Sequence, residues 1–415
     1  MFCTLTLRRT ALTALGILIA SLQAAPLLAQ QKEAEAEPLA AEAPAAPAPR
    51  SIEDIIKVLD QFKPDPARIT AARAALALPT PQTDDRTALF RHYFQRGQAA
   101  RRLGDDSAAI VDLRKARDYM PAGGQGPLAL LYILSVAEFV GGNALNAVQL
   151  MQERLGLIGK NQPGFIIGHE AYAALIYSAF GDFNAARRSM QNAEDTFKRI
   201  SRAPNAALYR HSWTSSVENA RGEVFHAEGK LVEAEAAYRK AIRELDADIP
   251  DREERTRRGL VQGADETIEA TRGLIYRRLA QVLNKLGRAN EAEIHIRNAL
   301  KSTLQRSGRF ATNTALDMQT FAVILIEQGR FAEGTLMARE AVRSIEGSGA
   351  PLHSLSAIGA SRALGAALVT SAKWEEALAT FDAMRKNAES EPELARNLAR
   401  GDLDWAHALL KMNQP

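Results

Sequence analysis
Seven histidines, one cysteine and one glycine cluster are the residues from which chemistry would have to be built in this chain. The histidines do not gather. His169-Glu170 lacks the second histidine that completes a zinc-binding helix, and His226 and His295 fall in different segments. Gly123-Gly124-Gln125-Gly126 has the composition of a phosphate-cradling loop but not its sequel. No Lys-Ser or Lys-Thr follows, and Pro121 and Pro127 bracket it, so it reads as a connecting loop. Carboxylate pairs such as Glu375-Glu376 stand where a helix begins, and there the macrodipole favours negative charge with no catalytic role. No catalytic residue, metal ligand or cofactor site is assigned, and the chain reads as a non-enzyme.

The N-terminus carries an address. Arg8 and Arg9 precede an apolar run from Ala11 to Leu22, and a small-residue region ends at Ala29. This layout predicts a secretory signal peptide over residues 1–29, with an uncleaved membrane anchor as the alternative. The expected location is the periplasm or the exterior, and any membrane contact runs through this segment alone. Its removal takes the only cysteine, Cys3, which excludes disulfides, thiolate catalysis and cysteine-bound zinc from the mature protein. It also leaves 50 basic against 49 acidic side chains, so bulk charge gives no reason to bind nucleic acid or anionic lipid. Residues 30–50 alternate Ala, Glu and Pro, a composition that cannot bury a core and predicts a disordered, extended linker.

Beyond the linker the pattern is helical. Ser51 can cap a helix whose apolar face is Ile52, Ile55, Ile56 and Leu59. Lys63-Pro64-Asp65-Pro66 stops it, and a second short helix follows, so residues 51–86 are expected to form an N-terminal helical cap. From 87 to 390 one unit recurs, seen best between Ala270 and Leu300. Each turn residue (Gly104, Gly142, Gly181, Gly229, Gly287, Gly329 and, once, Ala372) has a small residue seven positions before it and another five after. Those pairs are Gly97 and Ala109, Ser135 and Ala147, Ala174 and Ala186, Gly222 and Ala234, Ala280 and Ala292, Ala322 and Gly334, Gly365 and Ala377. Two antiparallel helices approach most closely where neither carries a bulky side chain, so the crossing point selects Gly or Ala. The turn glycine supplies the left-handed conformation that ends the first helix. Residues 391–415 read as a capping helix or the first helix of an eighth repeat, with Trp405 packed on the seventh.

This spacing resembles the tetratricopeptide repeat, whose signature is a small residue, a turn Gly, an Ala, an aromatic and a second Ala at these offsets. Successive turns lie 38, 39, 48, 58, 42 and 43 residues apart. All exceed the commonest period of about 34, and the later ones are similar to the long repeats of kinesin light chains. The longest gap holds Pro250 to Arg258, read as a protruding loop or helix extension whose four arginines are solvated. The resemblance implies an all-α fold, a right-handed α-solenoid of about seven antiparallel helix pairs. The signal, the linker and the opening Ser51-Ile-Glu-Asp-Ile-Ile56 also resemble the N-terminal half of exported bacterial proteins that end in a caspase-like CHAT peptidase domain. That domain's His–Cys pair is absent here, so this likeness implies a recognition half, in cis or in trans, without the activity.

A tetratricopeptide solenoid offers a concave wall lined by the first helix of each repeat, and the partner implied is a protein or peptide held in that groove. In the repeat frame the early wall positions are Phe94, Gln98, Arg101, Arg102, Tyr132, Phe139, His169, Tyr172 and Ile176. The later ones are Asn219, His226, Arg277, Gln281, Asn284, Gln319 and Arg362. Aromatics beside Arg and Asn suit an extended or helical peptide with an acidic or amide-bearing face, unless the aromatics pack between helices instead. Carboxylate-clamping tetratricopeptide domains place Lys and Asn where Phe94 and Gln98 stand, which disfavours that ligand class. Oligomeric state is not legible.

Overall fold
The computed structural model describes residues 51–412, apart from 60, 62–65, 104, 123–124, 141–142, 159–162, 203–205, 261–265, 349, 351, 390–397 and 399–400. The signal segment, the linker and the turn glycines Gly104 and Gly142 lie outside the described residues.

Among the described residues all regular structure is helical. Two short helices, α1 (Glu53–Leu59) and α2 (Pro66–Ala77), precede seven antiparallel pairs. The pairs are α3 (Arg86–Arg102) with α4 (Asp106–Asp118), α5 (Gln125–Val140) with α6 (Ala144–Leu157), and α7 (Pro163–Phe180) with α8 (Phe183–Ile200). Then come α9 (Arg210–Ala227) with α10 (Leu231–Arg257), α11 (Glu266–Lys285) with α12 (Ala289–Ser307), α13 (Thr312–Glu327) with α14 (Phe331–Ser348), and α15 (Leu355–Thr370) with α16 (Trp374–Ala388). Each pair packs on the next, which makes an α-solenoid, and α17 (Asp402–Lys411) closes the described chain.

The small residues sit where helices cross. All seven pairs are buried, and the space leaves no alternative at several of them. A Cβ on Gly222 would stand 2.6 Å from the Tyr238 ring, and one on Gly365 would stand 2.5 Å from Phe381. The described turn glycines adopt positive φ, as at Gly287 (76°), where the Arg288 N–H closes the helix end on the Leu283 carbonyl at 2.9 Å. Ala372 takes the same conformation (φ 56°) without glycine's freedom.

Three segments depart from the sequence reading or complete it. The residues expected to form one N-terminal cap separate: α2 packs on α3 through Ala72, Ala99 and Leu103, but α1 lies against the second helices of the fifth and sixth repeats. There the Ile52 N–H donates to Glu333 Oε1 at 3.1 Å, Arg297 pairs with Asp54 at 3.0 Å, and Ile52 and Leu59 join the apolar core of the later repeats. The stretch Pro250 to Arg258 continues α10 as a helix extension, and Arg255 is not solvated. It is 2% exposed and bidentate on Asp248 (2.9 and 2.7 Å), because positions seven apart share one helix face, here turned inward onto Tyr209. Trp405 does pack on the seventh repeat, its Nε1 donating to Asp382 at 3.2 Å under the Arg385 guanidinium.

Candidate partner-binding wall
Counted back from each turn, side chains ten, six and three positions earlier share one face of a first helix, since residues advance about 100° apiece. Phe94, Tyr132, Asn219, Arg277, Gln319 and Arg362 occupy the first of these offsets. Gln98 and Gln281 hold the second, and Arg101, Phe139, His226 and Asn284 the third. His169, Tyr172 and Ile176 are out of this register, at twelve, nine and five before Gly181. The structure shows the consequence. His169 (3% exposed) and Ile176 (0%) are buried between helices, which withdraws both from a partner-contacting role.

The early wall is aromatic and cationic. Phe94 stacks on Phe90, Gln98 and Arg101 are half-buried, and Arg102 is exposed. Phe139 packs inward against the Ala147, Met151 and Ile176 cluster. Tyr132 remains 41% exposed, meets Tyr172 edge to face at 5.2 Å, and carries the Arg154 guanidinium 5.3 Å from its ring centre. Burial pushes the Tyr172 phenol up, Tyr132 adds to the rise, and Arg101 and Arg278 oppose it. Side chains of the first, third and fifth repeats therefore share one electrostatic neighbourhood. The Tyr172 hydroxyl is buried with no partner at hydrogen-bond geometry among the described residues, and the nearby Ser135 Oγ donates to the Tyr132 carbonyl at 2.8 Å.

The later wall is polar and mostly interlocked. Arg278 donates to Asn219 Oδ1 at 2.9 Å and pairs with Glu223 at 3.1 Å, and Glu223 also accepts from the Tyr238 hydroxyl. Lys285 Nζ donates to His226 Nε2 at 2.8 Å; desolvation and then Lys285 lower that imidazole's pKa. Arg277 pairs with the fully buried Asp317, and Gln281 donates to Thr320. Arg362 is half-buried, its stem beside Gly401. Two groups differ: Asn284 Oδ1 and Gln319 Nε2 are buried and have no partner.

The wall candidates omitted Arg278, Glu223 and Lys285. Glu223 was findable, since it stands six before Gly229 as Gln98 and Gln281 stand before their own turns. Among the described residues no cluster of His, Cys, Asp and Glu could hold a metal ion, and no helix is long and apolar enough to cross a membrane.

No protein-family profile matches the chain, and no curated protein matches it by sequence. Solved structures are similar to it at low identity. NprR in complex with its cognate peptide NprX is 15% identical over 87% of this chain and 100% of that one, with a TM-score of 0.48. A STAND protein with a tetratricopeptide-repeat sensor from Pyrococcus horikoshii is 12% identical over 84% of this chain, with a TM-score of 0.46, and this chain spans about half (49%) of it. BtubC (BKLC) from P. vanneervenii is 15% identical over 61% of this chain and 91% of that one, with a TM-score of 0.42. Among the described residues the chain is an α-solenoid of antiparallel helix pairs, with buried small residues at the spacing of the tetratricopeptide signature.

Proposed function
We propose that this protein is a noncatalytic scaffold that holds a segment of a protein partner along the wall of first helices. The observation that carries this reading is Tyr132, 41% exposed on the wall and edge to face with Tyr172 at 5.2 Å, an apolar anchor for a bound segment in the early repeats. On adjacent first helices of the later wall Asn284 Oδ1 and Gln319 Nε2 are buried without a partner, at a cost of about 1–3 kcal/mol each. Rotation of these amides toward a peptide main chain would relieve it. Arg8, Arg9 and the apolar run after them support an envelope location, and the likeness to CHAT-domain proteins would make the partner a peptidase module.

The test is a crosslinking pull-down from the native compartment with wild type, with Tyr132→Ala plus Tyr172→Ala, and with Asn284→Ala plus Gln319→Ala. Each double substitution is expected to weaken capture of the wild-type partner about tenfold or more. Capture unchanged in both, or hydrolytic turnover by the purified chain, would overturn the reading.

A further inference from the structure
Away from the wall, α6, α7 and α8 line a half-open cavity of about 360 Å³, within the roughly 300–1,000 Å³ typical of small-molecule sites. Its apolar lining includes Val148, Met151, Ala173 and Ile176, and two ionisable side chains in it are deeply buried: His169, 3% exposed, and the one carboxylate, Glu170, 7% exposed. Glu170 accepts from Asn192 Nδ2 at 3.2 Å and lies near Ser189, both neutral and both lining the cavity. Among the described residues no Lys, Arg or His forms an ion pair with it. That is unusual chemistry to leave in place, because a carboxylate withdrawn from water needs a counter-charge or gives up its own.

We propose that this cavity is a binding site for an alkyl-ammonium or guanidinium group on an apolar stem, with Glu170 as its counter-ion and Asn192 holding the carboxylate in place. The apolar lining fits the stem, and the carboxylate fits the charged head. An anionic ligand fits worse. The cavity's one side chain with a permanent positive charge, Arg188, is exposed and solvated, whereas Glu170 would be brought against a like charge in low dielectric. The other titratable side chains in the lining are His169 and Tyr177, and α6 contributes none. His169 is held neutral by burial and by the neighbouring Arg154, so it does not supply the missing cation.

Two sources of this chemistry exist, a free small amine and a basic side chain of a peptide, and the experiment separates them. Calorimetric titrations of the full chain with cadaverine, with agmatine, and with capped tetrapeptides carrying one Lys or one Arg are compared between wild type and Glu170→Gln. At least one probe is expected to bind wild type and to bind Glu170→Gln about tenfold or more weakly. Binding of the free amines identifies a small-molecule pocket, and binding of the peptides alone identifies a side-chain pocket. Thermal denaturation supplies the second readout. Burial raises the Glu170 pKa, so the folded state loses stability as pH rises out of the acid range and the carboxyl ionises. Glu170→Gln should therefore melt higher than wild type at neutral pH and no higher in acid, and a bound amine should close the gap. No binding of any probe to wild type, or equal binding to both proteins, overturns the proposal.

Discussion

From Ala234 to Ala408 most buried apolar side chains join one large cluster, with a small second one around Ala315 and Ile345, whereas between Leu89 and Val224 they fall into several smaller ones. Ion pairs bridge successive repeats in both halves: Arg117 joins Glu153 and Arg187 joins Glu228 in the early one, and Arg239 joins Glu291, Arg288 joins Glu235 and Arg330 joins Glu293 in the later one. Helix α1 adds Ile52, Leu59 and the Asp54–Arg297 pair to the later side. The early repeats also hold Arg154, 9% exposed and facing only a carbonyl, a neutral imidazole and a tyrosine ring, together with the uncompensated Glu170 and the cavity. In a solenoid each repeat is stabilised by its own packing and its two interfaces. The later repeats are therefore the rigid half, and the early repeats, where buried charge lacks a partner, are the half fitted to receive one.

The sharpest way to break this comparison is a charge deletion in each half. Asp248→Ala strands Arg255 inside the fourth repeat with only the Leu208 carbonyl and the Tyr209 ring beside it. Removing one member of a buried pair costs about 3–5 kcal/mol, and urea denaturation should show a loss of that size. Glu170→Gln should move stability the opposite way. If both substitutions destabilise alike, the early charges are compensated and the two halves do not differ.

A smaller effect comes from acid. The folded pKa of His169 in the early half falls to about 4, through burial and then Arg154; that of His295 in the later half falls to about 4, through burial and then Arg239. Both are lowered from 6.5, so each imidazole's contribution is fully present above that value and is lost as pH falls through the window down to about 4. Each shift corresponds to roughly 3 kcal/mol across the window. His169→Gln and His295→Gln should each flatten the acid limb of a stability–pH curve. Hydrogen exchange at about pH 5 should show α7 opening before α12, because the apolar core around α7 is divided among smaller clusters.

The crossing residues and turns were legible because their cause is local. Gly222 beside Tyr238 and Gly287 in its left-handed turn depend on neighbours within one repeat, and the spacing of small residues records that dependence. The seat of α1 left no such record, since Ile52 and Glu333 are 281 positions apart and a seven-residue amphipathic helix fits many surfaces. Arg255 read as a solvated charge because composition cannot say which way a helix face turns. Along the wall, the glycine frame fixes rotation about each helix axis, and the third repeat's His169 and Ile176 were counted one or two residues out of the register that the other first helices share. One or two residues of slip turn a side chain by about 100–200°, enough to carry it from the wall into the core.

The smallest effect tests the frame itself. Ala372 occupies the seventh turn at φ 56°, with the Lys373 N–H closing on the Leu368 carbonyl at 2.9 Å, the arrangement that Gly287 makes with Arg288 and Leu283. A Cβ in the left-handed region costs roughly 1 kcal/mol, part of which a glycine returns as extra freedom in the unfolded chain. Ala372→Gly should then stabilise the protein by a few tenths to about 1 kcal/mol, and Gly287→Ala should destabilise it by a similar amount. The two substitutions are mirror images at equivalent positions, so their sum should lie near zero if each turn is set by its own repeat. A sum far from zero would mean that the seventh turn, beside α17, is held by different contacts from the fifth. The rigid half would then differ internally, and its stability would not be the even product of repeating units.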